Sequence, residues 1–156
     1  MADLVYSRSS FGSSHHGHGL QSRPSLRVFL LHGNLDIWVK DAKNLPNMDF
    51  VRKKLGEIFR LFHVGKCDGA MSKNTSDHYV TISVANAVIG RTFVIKNSEN
   101  PVWMQHFYVP VAHYAEEVHF TVKDNDIVGS EIVGVVGIPV EQIYLGNKVE
   151  GTFPVL

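Results

Sequence analysis

The chain has 156 residues, 44% of them hydrophobic and 19% charged, which is enough for one domain with a core of its own. Lys plus Arg and Asp plus Glu each number 15, so with neutral histidines the net charge is zero; no overall field favours nucleic acid, and any charged function must come from local clusters. A single cysteine, Cys67, excludes an internal disulfide framework and fits a reducing compartment, no apolar run approaches the roughly 18 residues of a membrane-spanning helix, and the N-terminus lacks the charged-then-apolar order of a secretory signal.

In chain order, residues 1–25, "MADLVYSRSSFGSSHHGHGLQSRPS", are rich in Ser, Gly and His. Such a segment buries too little apolar surface to offset the entropy of ordering, so a disordered tail is expected, with His15, His16 and His18 part of a solvated low-complexity stretch. A domain is expected over 26–156. From Leu26 a period of two dominates. Leu35, Ile37 and Val39 share one face of "NLDIWVKDA". Val80, Ile82 and Val84 do so in "HYVTISV". A turn at Ala85-Asn86 leads into "AVIGRTFVIK". Trp103, Gln105, Phe107 and Val109 alternate with Met104, His106 and Tyr108. Val118, Phe120 and Val122 face one way, and "EIVGVVGIPV" and "GTFPVL" follow. Seven short strands joined by turns read as an antiparallel β-sandwich.

One segment departs from this pattern. In "FVRKKLGEIFRLF", Val51, Leu55, Ile58, Phe59 and Phe62 fall on one helical stripe, with Arg52, Lys53, Lys54 and Arg60 on the other faces and Asp49 placed as an N-cap. A helix over about 50–62 is predicted, although Gly56 weakens it by roughly 1 kcal/mol relative to Ala.

The acidic residues fall where strands begin and end: Asp49 after the first strand, Asp77 before the second, and Asp124, Asp126 and Glu131 around the turn "VKDNDIVGSEIVG". In an antiparallel sandwich these two connections can lie at the same end. Taken alone, either group reads as ordinary turn acids on a solvated surface. Together, five carboxylates offer up to about ten oxygens on loops, a donor set suited to Ca²⁺, which takes 6–8 oxygens.

The strings "LLHGNLDIWVKDAKNLPNMD", "AVIGRTFVIKNSENPVWMQHFYVPVAH", "EVHFTVKDNDIVGS" and "GVVGIPVEQI" make the stretch from about Leu31 to Leu156 resemble a C2 domain. More narrowly, it resembles the N-terminal regulatory C2 domain of plant phospholipases D of the beta and gamma classes. The resemblance implies an eight-stranded sandwich of type II topology. In that order the eighth strand is supplied C-terminally, so here it is expected to be missing or replaced, leaving an open edge or one covered by "LRVFLL". It further implies Ca²⁺ held by Asp49, Asp77, Asp124 and Asp126, with Glu131 in the place of a further acid, and lipid contact through Ile127 and Val128.

Four features depart from the family pattern: "SDHY" replaces "SDPY", the first-loop acids are separated by the basic helix, the third loop is one residue shorter, which bears on Glu131, and Phe50 replaces a glycine. Arg91, Lys96, Lys40 and Lys43 are candidates for one basic patch on the sheet face that takes a phosphoinositide headgroup such as phosphatidylinositol bisphosphate, and Arg52, Lys53, Lys54 and Arg60 are candidates for meeting anionic headgroups from the helix. The HxKxxxxD string of phospholipase D catalysis does not occur, nor do a GxSxG elbow, a P-loop or HExxH. The expected role is therefore a calcium-dependent, cytoplasmic membrane-targeting domain working with a separate catalytic domain that hydrolyses phosphatidylcholine-type lipids to phosphatidic acid. The rival role is a calcium-independent module that binds a protein or acts structurally.

Overall fold

Alternation of apolar and polar residues makes strands here because each strand buries one face only. Leu31, Leu35, Ile37 and Val39 point inward from one strand, and Val118, Phe120 and Val122 from another, all 5% exposed or less. The computed structural model describes residues 27–47, 76–125 and 129–156, together with the backbone of 2–6 and of Asp126. Within these residues eight strands occur in the order β1 (Ala2–Tyr6), β2 (Phe29–Ala42), β3 (His78–Val84), β4 (Ala87–Arg91), β5 (Val102–Ala115), β6 (Glu117–Asp126), β7 (Gly129–Pro139) and β8 (Glu150–Phe153). One short helix, α1 (Val140–Ile143), follows β7.

The strands form two four-stranded sheets, ordered β5-β2-β1-β8 and β4-β3-β6-β7, and every neighbouring pair is antiparallel. Between them lies one core, in which Leu31, Leu35, Ile37 and Val39 of the first sheet belong to the same cluster as Val80, Ile82, Val84, Phe120, Val122 and Val136 of the second. Trp103 joins it from β5, and Phe107 packs partly against it. Ile82, fully buried on the central strand β3, is typical of the residues that hold the sheets together; truncating it to Ala would cost about 2–5 kcal/mol.

Turn chemistry fixes the register. Ala85 and Asn86 both have positive φ, 48° and 67°, as a two-residue hairpin that follows the strand twist requires. A bulge between Val39 and Asp41 lets Ala42 turn inward after the odd-numbered residues before it. Pro110 lies opposite Asn34 on β5, an edge strand where a missing N–H is tolerated.

Several expectations need correction. The disordered tail does not extend to Ala2–Tyr6, which form β1 and pair with both β2 and β8. The replaced eighth strand is this N-terminal one, so the slot assigned by type II order to a C-terminal strand is filled from the other end of the sequence. "LRVFLL" does not cover an edge: Phe29–Leu31 open β2 and pair with Ala115, Tyr114 and His113 of β5. The strand expected over "AVIGRTFVIK" stops at Arg91, because Thr92 turns in to bond Val80 twice. Its amide donates to the Val80 carbonyl and its hydroxyl accepts the Val80 amide, each at 2.9 Å. Ile95 then makes an isolated bridge to His78. The chain also continues past β8. Leu156 accepts from the Val135 amide at 2.8 Å and donates to the Val135 carbonyl at 3.2 Å, so the C-terminal residues cross to the second sheet and line the edge of β7. The predicted helix over about 50–62 lies outside the described residues.

Candidate functional site

The inward period of β6 runs Val118, Phe120, Val122 and then Asp124, which is 2% exposed. The pattern that builds the core thus ends by placing a carboxylate at the rim of the sandwich. Register puts Asp124 opposite His78 of β3 on one side and Glu131 of β7 on the other. His78, Asp124 and Glu131 therefore form one row across three neighbouring strands. Asp77 precedes His78, so its backbone meets the same row: its amide donates to Asp124 Oδ1 at 2.7 Å, and its carbonyl accepts from the Asn125 amide at 2.8 Å. Asp77 Oδ1 in turn accepts from the Asn97 amide at 3.0 Å.

The connection between β4 and β5 is fastened onto this end. The Ser98 amide donates to Ser76, the His78 amide to Ile95, and the Ile95 amide to His78. The His78 imidazole is fully buried, and its Nδ1 lies 2.8 Å from the Ser98 carbonyl. A carbonyl only accepts, so Nδ1 carries the proton. Nε2 is buried and has no hydrogen-bond partner among the described residues. The Trp103 indole N–H reaches the His78 carbonyl at 3.4 Å and closes the floor beneath.

Of the five predicted metal ligands, the structure brings Asp77, Asp124 and Glu131 to one end of one sheet. The backbone of Asp126 is paired with Gly129. The Asp126 side chain and the whole of Asp49 lie outside the described residues, as do Ile127, Val128, Arg52, Lys53, Lys54 and Arg60. Gly129 has φ of +137°, a conformation that L side chains rarely adopt, so this turn depends on a glycine. Among the described residues no group of three or more His, Cys, Asp or Glu is arranged to hold a metal ion.

The donor chemistry nonetheless suits a hard cation. The three described acids present carboxylate oxygens only, and Asp77 and Asp124 each accept a backbone hydrogen bond at one oxygen.

The cations expected to form one basic patch are divided. Arg91, on β4, has its guanidinium carbon 4.1 Å from the centre of the Tyr79 ring, while Lys96 is exposed in the connection that follows. Lys40 is on β2 in the other sheet, close enough to Glu150 to affect its ionisation. Trp38 is partly exposed and stacks on His106 with centroids 4.7 Å apart, and His106 Nε2 lies 2.7 Å from Asp36 Oδ1. Sequence reasoning missed the part played by Asn97 and Ser98, which carry no charge; the histidine in "SDHY" was their one visible signal.

A two-sheet antiparallel sandwich with acidic strand ends gathered at one rim defines a class of domain, and the C2 domain family model matches residues 33–155. The chain belongs to the C2 domain family. It is 65% identical over 138 residues to phospholipase D beta 1 of Arabidopsis thaliana, covering 88% of this chain and 13% of that protein. It is 62% identical over 152 residues to phospholipase D gamma 1 of the same plant, covering 93% and 18%. The chain thus spans less than a fifth of the length of these relatives. Among solved structures, the third C2 domain of KIAA1228 protein superposes with a TM-score of 0.56 at 16% identity, covering 96% of this chain and 82% of that one; this likeness concerns the fold alone.

Proposed function

We propose that this is a calcium-dependent phospholipid-binding domain that brings a phospholipase D to cytoplasmic membrane surfaces. The observation carrying the reading is the juxtaposition of Asp77, Asp124 and Glu131 at one rim, with Asp77 and Asp124 linked through the Asp77 amide. Register and one hydrogen bond bring these acidic residues to the same strand ends, and like charges gathered at one end repel less when a cation lies among them. If Asp49 and Asp126 join them as the family resemblance implies, the rim would carry five formal negative charges, and two Ca²⁺ would leave about one. An anionic bilayer then no longer repels this end, and lipid phosphates can complete the metal shell. Ile127 and Val128, between the last two acids, would enter the interface, where burial contributes at most about 1.5–3 kcal/mol each. Arg91 and Lys96 would add attraction to phosphoinositide headgroups, and Arg52, Lys53, Lys54 and Arg60 to anionic lipid in general. The identity to the beta and gamma enzymes supports hydrolysis of phosphatidylcholine-type lipid to phosphatidic acid by a catalytic domain working with this one.

Calorimetric titration with Ca²⁺, with and without phosphatidylserine-containing vesicles, tests this reading. Asp124→Asn combined with Asp126→Asn should abolish calcium-dependent vesicle binding. Ile127→Ser combined with Val128→Ser should weaken vesicle binding and leave calcium binding without lipid nearly unchanged. If the double Asn protein still binds vesicles in response to calcium, the ion sits elsewhere. If the unaltered chain binds no calcium with or without vesicles, the calcium-independent interaction module takes its place.

A further inference from the structure

The residue that sets the geometry of the acidic rim is not an acid. We propose that His78 is a positioning residue, whose imidazole holds the β4–β5 connection so that a backbone amide meets Asp77 and fixes that carboxylate before any ion arrives. The proposal rests on the calcium reading above for its functional consequence, and on geometry alone for the arrangement.

Asp77 sits at the entry to β3, and its Oδ1 is fixed by the Asn97 amide at 3.0 Å. Asn97 has φ of 56°, a conformation uncommon for a residue other than glycine. Asparagine enters this region more readily than most residues, and the residue after it is tied down as well. Ser98 is gripped from both sides of its peptide unit, its amide by the Ser76 carbonyl at 3.2 Å and its own carbonyl by His78 Nδ1 at 2.8 Å. His78 is suited to this because it is fully buried and lies in the same cross-strand row as Asp124. One imidazole therefore connects the strand end that carries Asp77 to the loop that orients it. Nε2 has no hydrogen-bond partner among the described residues, so there the ring's side-chain hydrogen bond is the one at Nδ1. A proline at this position, as in the common "SDPY" string, has no side-chain donor. The loop would then be held by backbone bonds alone.

The arrangement predicts a dependence that chemistry at the acids alone would not. His78→Leu keeps an apolar volume and removes the donor. His78→Asn keeps an N–H at nearly the position of Nδ1. In the full chain, His78→Leu should bind Ca²⁺ about tenfold more weakly, which is what loss of one orienting hydrogen bond costs, and His78→Asn should restore binding to within about threefold of the unaltered chain. Amide hydrogen exchange measured without calcium gives an independent readout: the Asn97 and Ser98 amides should exchange much faster in His78→Leu and stay protected in His78→Asn, while amides of Val118–Val122 are unchanged in both. Unchanged Asn97 protection in His78→Leu overturns the proposal, whatever calcium does. Lost protection with unchanged calcium affinity overturns its functional half. If the unaltered chain itself binds no calcium, the calcium reading fails on its own, and the exchange data still decide whether His78 holds the loop.

Discussion

Asp77 and Asp124, 47 residues apart in sequence, are joined by a 2.7 Å hydrogen bond from the backbone amide of the first to the side chain of the second. One of the proposed ligands is therefore also a structural acceptor, and its two roles separate by substitution. Asp124→Asn keeps an acceptor oxygen and should leave urea stability within about 0.5 kcal/mol of the unaltered chain. Asp124→Ala strands the Asp77 amide and should cost about 1–3 kcal/mol. Equal losses for both variants would mean that the charge, not the acceptor, supports the fold.

The C-terminal residues should be sensitive to a single methyl group. A Cβ at Gly134 would lie 2.5 Å from Val155 Cγ1 and 3.0 Å from the Leu156 carbonyl oxygen. Gly134→Ala should therefore push Val155 and Leu156 off β7 and release both hydrogen bonds to Val135. The expected loss is about 1–3 kcal/mol. Removing Val155 and Leu156 from the Gly134→Ala protein should then cost little more, because the contact is already gone; additive losses in denaturant titration would contradict this.

Glu150 is paired with Lys148 on the surface. The hydrogen bond from Lys148 holds its carboxyl below the ordinary glutamate value, with the Lys148 charge next and Lys40 adding less. A depressed carboxyl pKa favours the folded state above the unfolded pKa, and this contribution disappears as pH falls through the folded value. Lys148→Ala should thus move the Glu150 titration, followed by carboxyl carbon NMR, upward toward the ordinary value. The pair is open to solvent, so stability at neutral pH should hardly change.

Strand β1 holds β8 in its sheet, since among the described residues β8 pairs with no other strand there. Leu4 is opposite both Val39 and Gly151. Leu4→Pro removes an amide from a strand bonded on both sides, where proline is not tolerated. Amides of Gly151–Phe153 should exchange faster, and stability should fall by about 1–3 kcal/mol. Full protection of those amides would show that β8 does not depend on β1.

Much of this architecture was legible because each strand repeats its signal every second residue. Leu35, Ile37 and Val39 name the inner face of β2 without help, as Val118, Phe120 and Val122 do for β6. The same rhythm, carried two residues further, would have put Asp124 inside, but an acid invites assignment to a loop. β1 was invisible for a different reason. "ADLVY" is short and sits beside a Ser/Gly/His run, and it becomes a strand only because β2 and β8 leave a slot between them, a fact about tertiary pairing rather than local preference. The bonds from Asn97 and Ser98 were hidden because backbone groups make them, and every residue other than proline carries those.

The pairing of β1 with β8 also decides how the domain would meet mechanical tension. Ala2 faces Phe153 and Val5 faces Glu150, so a pull applied at Ala2 and Phe153 acts on the same end of the ladder. Once Leu156 has come away from Val135, the hydrogen bonds between the two strands are loaded one after another, not all at once. Such a ladder peels like a zip, each step opposed by a single bond worth about 0.5–1.5 kcal/mol. A domain tugged through those two points would let go of β8 first, while the β3–β6–β7 row of His78, Asp124 and Glu131 stayed whole.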